Sequence, residues 1–587
     1  MMSLLYDKVS GRKEAYNYID KVLLGLCFLI IPLSLWSLWL PSNHYFLVIP
    51  FIGSIIYWII NRAKIQQLFI ELKKGIDYSR SQIVLFLLYI LASLFFFSWQ
   101  QEVYDSAFYH FQNIRWNEEY AVVPGLANLD DRFGFNSNYF LLSAIFSFRF
   151  ILGEAIYTLQ SLIVVIIGLW VINELFRSSE IKRMIIFISY VLLFGVSIYF
   201  LGNTSTDIIP NFIVFYIFAR IILYPDLLRK NCLIGIVLPV FLLTCKLSFT
   251  PIGIISIFIL YHLIKGREYK PIIYTCIIGL LIIIPWLIRN VIISGYLIYP
   301  LYQLDFFSFD WKVPIEVAMK ERDYIFEIGY YFFRIAVRYP HMSVRDPLFI
   351  NILTDAIYLL TFSSFILFIY LFMKKRKEIP QYIFLSYIVS FILIIVWVTG
   401  GPDLRFVAGV LCSVVSIGGI LFFKDRGILL SLSKSLILIF TLSIIAWTGS
   451  RYCSLITQIN GNNQVPLSNI LIKPCTVKDQ LKAKGIDITQ GYKKYPINNG
   501  LYIWTGPGLP FDMTLPASID SHYAKFIPLD QIEARGKDIQ DGFKMKEKSL
   551  TNYDLNTKSI NVPVLAGYTF PYPKFQPFTN AGFIYSF

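Results

Sequence analysis

The stretch SQIVLFLLYILASLFFFSWQQEVYDSAFYH, residues 81–110, passes within a few positions from an apolar run to acidic and histidine side chains. Its first part is long enough to cross a bilayer core of roughly 30 Å, which takes about 20 apolar residues in a helix. Charged groups are costly inside lipid, so Glu102, Asp105 and His110 are expected beyond the membrane helix. The stretch therefore predicts a transmembrane helix that opens into a polar loop, with a candidate site at the start of that loop.

The composition extends this interpretation to most of the chain. Of the 587 residues 56% are hydrophobic and only 15% are charged, which is unusual for a soluble domain. We predict an α-helical polytopic membrane protein with roughly thirteen transmembrane helices. The predicted spans are 21–40, 44–61, 82–98, 155–174, 183–201, 209–224, 232–249, 251–264, 271–288, 351–373, 381–398, 405–423 and 430–448. A further apolar stretch, 139–153, contains Arg149 and is predicted to lie as a helix at the outer membrane surface.

The distribution of charge indicates orientation. The net charge is +14, but the lysines and arginines are concentrated in alternate short loops between the apolar segments, as at 374–377. By the positive-inside rule these loops face the cytoplasm, which places the N-terminus in the cytoplasm and the C-terminus outside. Because membrane orientation accounts for the basic residues, we predict no nucleic-acid partner.

Two long loops and a tail interrupt the series of helices. The first long loop, 99–154, and the second long loop, 289–350, are predicted on the outer side of the membrane, and long ordered loops are usually functional. We divide the chain into a transmembrane body, 1–448, and an extracytoplasmic C-terminal module, 449–587. Short alternating runs between Gly and Pro predict that this module is small, with mixed or β-rich structure.

The start of the first long loop holds the best candidate site. In a helix that begins directly after the apolar run, Glu102, Asp105 and Tyr109 share one face, and His110 lies close to it. A carboxylate held there can accept a proton from a hydroxyl, and positioned general bases contribute roughly 10² to 10⁴ in rate. Asp105 is therefore the candidate catalytic residue, with Glu102 and His110 as candidate substrate-binding residues. The alternative is a solvated loop helix.

Other polar residues lie at the predicted outer ends of other helices. They are Asp207, Lys246, Arg289, Asn290, Asp403 and Arg405. Because they come from separate segments at one depth, we predict that they surround one substrate pocket. Simpler roles remain open: a helix cap for Asp207, snorkelling for Lys246, an interfacial anchor for Arg289, and a turn pair for Asp403 and Arg405.

The arrangement resembles the GT-C superfamily of membrane glycosyltransferases, which combine many helices, a long first outer loop beginning with an acidic residue, a second large outer loop and often an outer C-terminal module. The resemblance extends over most of the chain. More narrowly, four segments are similar to a bacterial family of large polytopic membrane proteins. These are DSAFYHFQNIRWNEEYAVVPGLANLDDRFGFNSNYF (105–140), IRNVIISGYLIYP (288–300), DFFSFDWKVP (305–314) and PDLRF (402–406).

The resemblance implies a GT-C-like fold in the bacterial cytoplasmic membrane and an activity at its outer face. The implied reaction transfers a sugar from a polyprenyl-phosphate-linked donor to a glycan, lipid or protein acceptor. By the same resemblance Asp105 deprotonates the acceptor, and Lys246, Arg289 and Arg405 hold the lipid phosphate. No cofactor is implied, and the need for a divalent metal is left open.

Other functions use the same features. A lipid-linked glycan polymerase or ligase would need the same residues, whereas a transporter or flippase would need a charged path that reaches both faces. A scaffold that binds through the C-terminal module is a further alternative. The sequence also leaves open whether Cys453 and Cys475 form a disulfide.

Overall fold

The chain has the architecture of a helical, multi-pass membrane protein. The computed structural model describes residues 2–11, 14, 16–62, 78–178, 180–230, 232–338, 348–423, 430–458, 473–519 and 525–546. Within these residues eight helices are long and apolar enough to cross a membrane: Tyr18–Trp36, Arg80–Phe97, Leu159–Arg177, Leu247–Lys265, Tyr269–Ser294, Ile352–Lys375, Gln381–Gly400 and Leu432–Thr457. The other five predicted spans fall on helices of 14 to 17 residues, so the count of thirteen stays a prediction.

The principal helices are numbered in chain order. They are α1 (Met2–Ser10), α2 (Tyr18–Trp36), α3 (His44–Ile60), α4 (Arg80–Phe97), α5 (Phe111–Glu119), α6 (Asn138–Ile145), α7 (Leu159–Arg177), α8 (Ile181–Val196), α9 (Ile208–Leu223), α10 (Cys232–Cys245), α11 (Gly253–Lys265), α12 (Tyr269–Ser294), α13 (Ile315–Arg338), α14 (Leu348–Lys375), α15 (Gln381–Gly400), α16 (Ala408–Phe423), α17 (Leu430–Thr457) and α18 (Val477–Ala483). Short helical turns lie at Ser106–His110, Leu126–Asn128, Asp131–Gly134, Arg149–Leu152, Leu227–Lys230, Leu247–Ile252, Arg376–Glu378, Leu404–Phe406, Asn498–Gly500, Leu529–Gln531 and Ile539–Asp541.

A buried polar cluster shows how the helices are fixed to one another. Asn17 caps α2: its side chain accepts a hydrogen bond from the Asp20 backbone nitrogen, and the Asp20 side chain accepts one from the Asn17 nitrogen. The same Asp20 carboxylate lies 3.0 Å from Arg220 Nη2 on α9. Both partners are buried, so loss of one of them is expected to cost about 3–5 kcal/mol. The pair therefore holds α2 against α9 within the bundle.

The predicted surface helix 139–153 is mostly an interior element. Every residue of α6 is buried, and α6 packs against α2, α5 and α10, so it cannot lie as a helix with one face in the membrane interface. Its polar start is fixed by Ser137 Oγ, which donates to the Cys245 carbonyl at 2.7 Å. Only the following turn, Arg149–Leu152, exposes apolar side chains. The apolar composition of α6 therefore reflects packing inside the protein.

The described part of the C-terminal module contains two small sheets. Strands β1 (Lys493–Pro496), β2 (Tyr502–Gly506) and β3 (Ala517–Ile519) form one sheet, in which β1 and β2 are antiparallel and β2 and β3 are parallel. Strands β4 (Ile532–Ala534) and β5 (Phe543–Met545) form an antiparallel pair. The prediction of a small region with strands is confirmed for these residues.

The predicted start of the C-terminal module falls inside a helix. Helix α17 runs to Thr457, beyond the predicted end of the transmembrane body at 448. Residues 547–587, which the prediction assigns to the module, lie outside the described residues.

Cys453 is exposed, Cys475 is buried, and both thiols are free.

Candidate functional site

A cavity of about 730 Å³ lies where the two long loops meet the ends of several helices. One part of its wall is apolar and includes Leu243, Leu247, Phe249, Leu393 and Val396. These residues come from α10, the turn before α11, and α15. The rest of the wall carries charged and polar groups. The cavity thus joins an apolar surface to a charged one, which is the arrangement that an amphiphilic substrate requires.

Five charged residues from four separate segments form what we call the ionic network. Arg405 Nη1 lies 2.8 Å from Asp105 Oδ2, and Arg405 Nε lies 3.1 Å from Asp403 Oδ2. Lys246 donates through Nζ to Asp207 Oδ1. Arg405 Nε also lies 3.9 Å from Asp207 Oδ2, and this contact connects the Arg405 ion pairs with the Lys246–Asp207 pair. All five residues line the cavity.

The network contains three carboxylates and two cations, so Arg405 is shared among acids. Burial alone would raise the pKa of Asp105, but the nearby Arg405 guanidinium outweighs it and holds this pKa below its ordinary value. Asp105 is therefore ionised at neutral pH. Lys246 Nζ also lies 3.6 Å from the centroid of the Phe406 ring, so a cation–π contact supplements its ion pair.

Asp105 is positioned by an unusual helix start. It precedes the π-helical turn Ser106–His110, which continues into α5. The Thr204 carbonyl accepts hydrogen bonds from Ser106 Oγ and from His110 Nδ1. These bonds fasten the turn to the segment that leads to Asp207, and π-helical turns of this kind are frequent at functional sites.

Asp403 and Arg405 lie on a turn that is fixed by three further residues. Trp397 Nε1 donates to the Asp403 carbonyl at 2.7 Å. Asn211 on α9 donates through Nδ2 to the Arg405 carbonyl at 2.7 Å and accepts from the Gly409 nitrogen at 2.8 Å. A Cβ at Gly409 would lie 2.0 Å from the Asn211 carbonyl oxygen, so only glycine allows this approach. The Asp403 side chain also accepts from the Arg405 nitrogen, so the predicted turn pair and the network coexist.

Asp207 is not a helix cap in the described structure. It stands at the N-cap position of α9, but its side chain makes no capping hydrogen bond. The carboxylate is directed to Lys246 instead. Asp207 and Lys246 therefore form an ion pair with each other, in place of the helix cap and the snorkelling side chain that were the simpler alternatives.

Three predicted residues do not line the cavity. Glu102 precedes the helix and does not share a face with Asp105, because the regular turn begins only at Tyr104. Burial raises the pKa of Glu102 to about 7, although Lys484 opposes the shift. His110 is buried behind the wall, and burial lowers its pKa to about 4, so it is neutral and helps to position the turn.

Arg289 is the third, and it lies behind the cavity on α12. It donates through Nη1 to Ser37 Oγ at 2.8 Å and through Nη2 to Asn117 Oδ1 at 2.7 Å. These bonds tie α2 and α12 to the first long loop, so Arg289 is neither an interfacial anchor nor a residue of the cavity wall. Its neighbour Asn290 does line the cavity.

A second charged group in the wall was not predicted from the sequence. Arg132 lines the cavity, and its Nη1 lies 2.9 Å from Oε1 of the fully buried Glu321 on α13. Burial raises the pKa of Glu321 well above its ordinary value, although Arg132 opposes the shift. Arg322 and Tyr299 line the same region. The available signal was the segment LDDRF, in which a cation follows two acids within the first long loop.

The C-terminal module is fixed to the helix that carries the start of the site. Phe511 donates its backbone N–H to the Ala107 carbonyl at 2.8 Å, and Gln112 Nε2 donates to the Phe511 carbonyl at 2.9 Å. Arg149 lies 2.7 Å from Asp512 Oδ2 and 2.9 Å from Glu118 Oε2. The first long loop and the module therefore share one packed interface.

A family model described as Domain of unknown function (DUF8201) matches residues 2–412. The chain belongs to this family. The DUF8201 region contains the whole ionic network together with Arg132, Asn290 and Tyr299, whereas the strands of the C-terminal module lie beyond it. No curated protein and no solved structure matches the chain. Among the described residues, no group of three or more His, Cys, Asp or Glu side chains is placed to hold a metal ion.

Proposed function

We propose that this chain is a GT-C-type membrane glycosyltransferase that moves a sugar from a polyprenyl-phosphate-linked donor to a glycan, lipid or protein acceptor. The observation that carries the proposal is the ionic network at the end of an apolar cavity. A carboxylate, a guanidinium and an ammonium converge there from separate segments of the chain. This reaction requires a general base, cations that bind the phosphate and an apolar wall that can hold the lipid.

The apolar wall suits the donor lipid. Leu247 and Phe249 lie one and three positions after Lys246, and Leu393 and Val396 face them from α15. A polyprenyl chain along this wall brings its phosphate to Lys246 and Arg405. Cations at that position stabilise the negative charge that develops on the departing phosphate.

Asp105 takes the proton of the acceptor hydroxyl. The acceptor oxygen forms a bond to the anomeric carbon of the sugar, and the bond from that carbon to the phosphate oxygen breaks. The electron pair leaves with the lipid phosphate, and the proton passes to the Asp105 carboxylate. When the donor phosphate engages Arg405, the contact that lowers the pKa of Asp105 weakens, so donor binding makes Asp105 a stronger base.

We place the protein in the bacterial cytoplasmic membrane with thirteen crossings. The basic loops then face the cytoplasm, and both long loops and the C-terminal module face outward. In this orientation the ionic network lies near the outer face. The lipid donor reaches it from the bilayer, and the hydrophilic acceptor reaches it from outside.

The test compares surface glycans and polyprenyl-linked intermediates by mass spectrometry in cells that lack the protein. The cells are complemented with wild type, with Asp105→Asn or with Asp310→Asn at matched membrane abundance. Asp310 is a matched control, because this exposed acid pairs with Arg535 outside the cavity. We expect Asp105→Asn to lower formation of one glycan by about 10²-fold or more, with accumulation of its lipid-linked donor.

Three results would decide against the proposal. Full rescue by Asp105→Asn would remove the base from the mechanism. Accumulation of the lipid-linked donor on the cytoplasmic leaflet alone would indicate a flippase. A change in chain length or in the joining of whole oligosaccharides would assign the same network to a polymerase or a ligase.

A further inference from the structure

A second group of polar residues lines the cavity apart from the ionic network. Asn290 and Tyr299 are 2% and 3% exposed, yet Asn290 Nδ2 and the Tyr299 hydroxyl have no hydrogen-bond partner among the described residues. Both side chains line the cavity. Buried donors without an acceptor are rare, because each one costs about 1–3 kcal/mol. Their position in a cavity wall indicates that a ligand supplies the acceptors.

Two cations lie beside these donors. The Arg132 guanidinium carbon lies 5.6 Å from the Phe135 ring centroid, and Tyr299 packs against the same ring at 5.9 Å. Arg322 directly follows Glu321, the partner of Arg132, and also lines the cavity. Within the described residues Arg322 donates only to the Tyr302 hydroxyl, at 3.2 Å, and has no carboxylate partner. Arg132 and Tyr299 thus meet at the Phe135 ring, and Asn290 and Arg322 line the same cavity.

This group approaches the ionic network at Asp105, whose pKa Arg132 helps to lower. Arg132, Tyr299 and Arg322 come from the two long loops and α13, whereas Lys246 borders the apolar wall from the membrane helices. The lipid donor therefore occupies the side near Lys246. The side formed by the loops is left for a hydrophilic reactant.

The geometry points to a subsite formed by Arg132, Asn290, Tyr299 and Arg322 that binds an oxyanion, a carboxylate or a phosphate, carried by the acceptor substrate. Guanidinium groups bind such anions through charge-assisted hydrogen bonds, which a neutral sugar cannot supply. The amide and hydroxyl donors complete the coordination of the oxyanion. The assignment of the anion to the acceptor rests on the proposed function, but binding of the anion does not require turnover.

The test measures ligand-dependent thermal stability of the purified full-length protein in detergent. The probes are glucuronate, glucose 6-phosphate and neutral glucose, because they share a sugar ring and differ in charge. Stabilisation that saturates with either anion, and is absent with glucose, is the expected result. Saturation with glucuronate alone assigns a carboxylate, and saturation with glucose 6-phosphate alone assigns a phosphate.

Two conservative variants locate the binding. Tyr299→Phe removes only a hydroxyl that has no hydrogen-bond partner in the described part of the chain, and Arg322→Gln changes an exposed side chain, so both are expected to fold. Each should raise the half-saturating concentration of the anion by about tenfold, the equivalent of one charge-assisted hydrogen bond. Arg451→Gln is the control, because Arg451 also lies over aromatic rings but outside the cavity. Equal stabilisation by glucose, or unchanged anion binding in both variants, would overturn the inference even if the glycan experiment succeeds.

Discussion

The pairing of Arg405 with Asp105 makes a quantitative prediction about stability. At 2.8 Å and an effective dielectric constant of about 20, the attraction of two unit charges is roughly 6 kcal/mol. The Asp105 side chain is 26% exposed and Arg405 is 14% exposed, so solvent screening and the cost of desolvation reduce the net value. We expect an interaction energy of about 2–3 kcal/mol.

A double-mutant cycle measures this energy. Asp105→Asn, Arg405→Gln and the double variant are unfolded by titration of SDS into mixed micelles, and the free energy of unfolding is compared with that of wild type. Arg405→Gln leaves Asp105 without its ion-pair partner, and Asp105→Asn removes one of the carboxylates around Arg405, so the double variant should be about 2–3 kcal/mol more stable than the sum of the single effects predicts. Effects that add to within about 0.5 kcal/mol would refute the argument that Arg405 and Asp105 are coupled.

Three further predictions concern other parts of the chain. Asp512→Asn removes the charge that pairs with Arg149 at 2.7 Å, so limited trypsin digestion should cleave the C-terminal module faster than in wild type. Equal cleavage rates would contradict the role of this ion pair in attaching the module to the first long loop. Gly409→Ala should lower the melting temperature, because the added Cβ would lie 2.0 Å from the backbone of α9. Gly253→Ala is the control and should leave the melting temperature unchanged, because nothing lies within 4 Å of its Cβ. Equal melting temperatures for the two variants would exclude the clash at Gly409. Burial raises the pKa of Glu102 from 4.5 to about 7, so its contribution to stability is present at low pH and is lost as the pH rises across that interval. The pH dependence of unfolding should therefore flatten in Glu102→Gln, and an unchanged profile would be evidence against this shift.

Much of the candidate site was predictable because helix ends are easy to locate in an apolar sequence. Asp207, Lys246 and Arg405 each follow or precede an apolar run, and charged residues at these positions lie at similar depths when the helices pack side by side. The sequence could not specify which charges form pairs. Pairing depends on the tertiary arrangement, for example on the 2.8 Å contact that brings Arg405 to Asp105.

The failures have physical reasons as well. Periodicity assigned Glu102 to the face of Asp105, but the helix starts later and its first turn is π-helical, which changes the residues that share a face. Arg289 carries the same charge as Lys246 and Arg405, and only its hydrogen-bond partners reveal its structural role. Arg132 lies in an irregular part of the first long loop, where no repeating pattern relates one side chain to another. The apolar stretch around α6 was predicted to be a surface helix, because hydrophobicity alone does not show whether an apolar side chain packs against lipid or against protein.

The attachment of the C-terminal module has a mechanical consequence. Phe511 bonds to Ala107 and to Gln112, which are two and seven positions beyond Asp105 on the same continuous helical segment. A helix transmits displacement along its axis with little internal deformation. A load applied to the module would therefore shift the Asp105 carboxylate relative to Arg405 without requiring a hinge between the two.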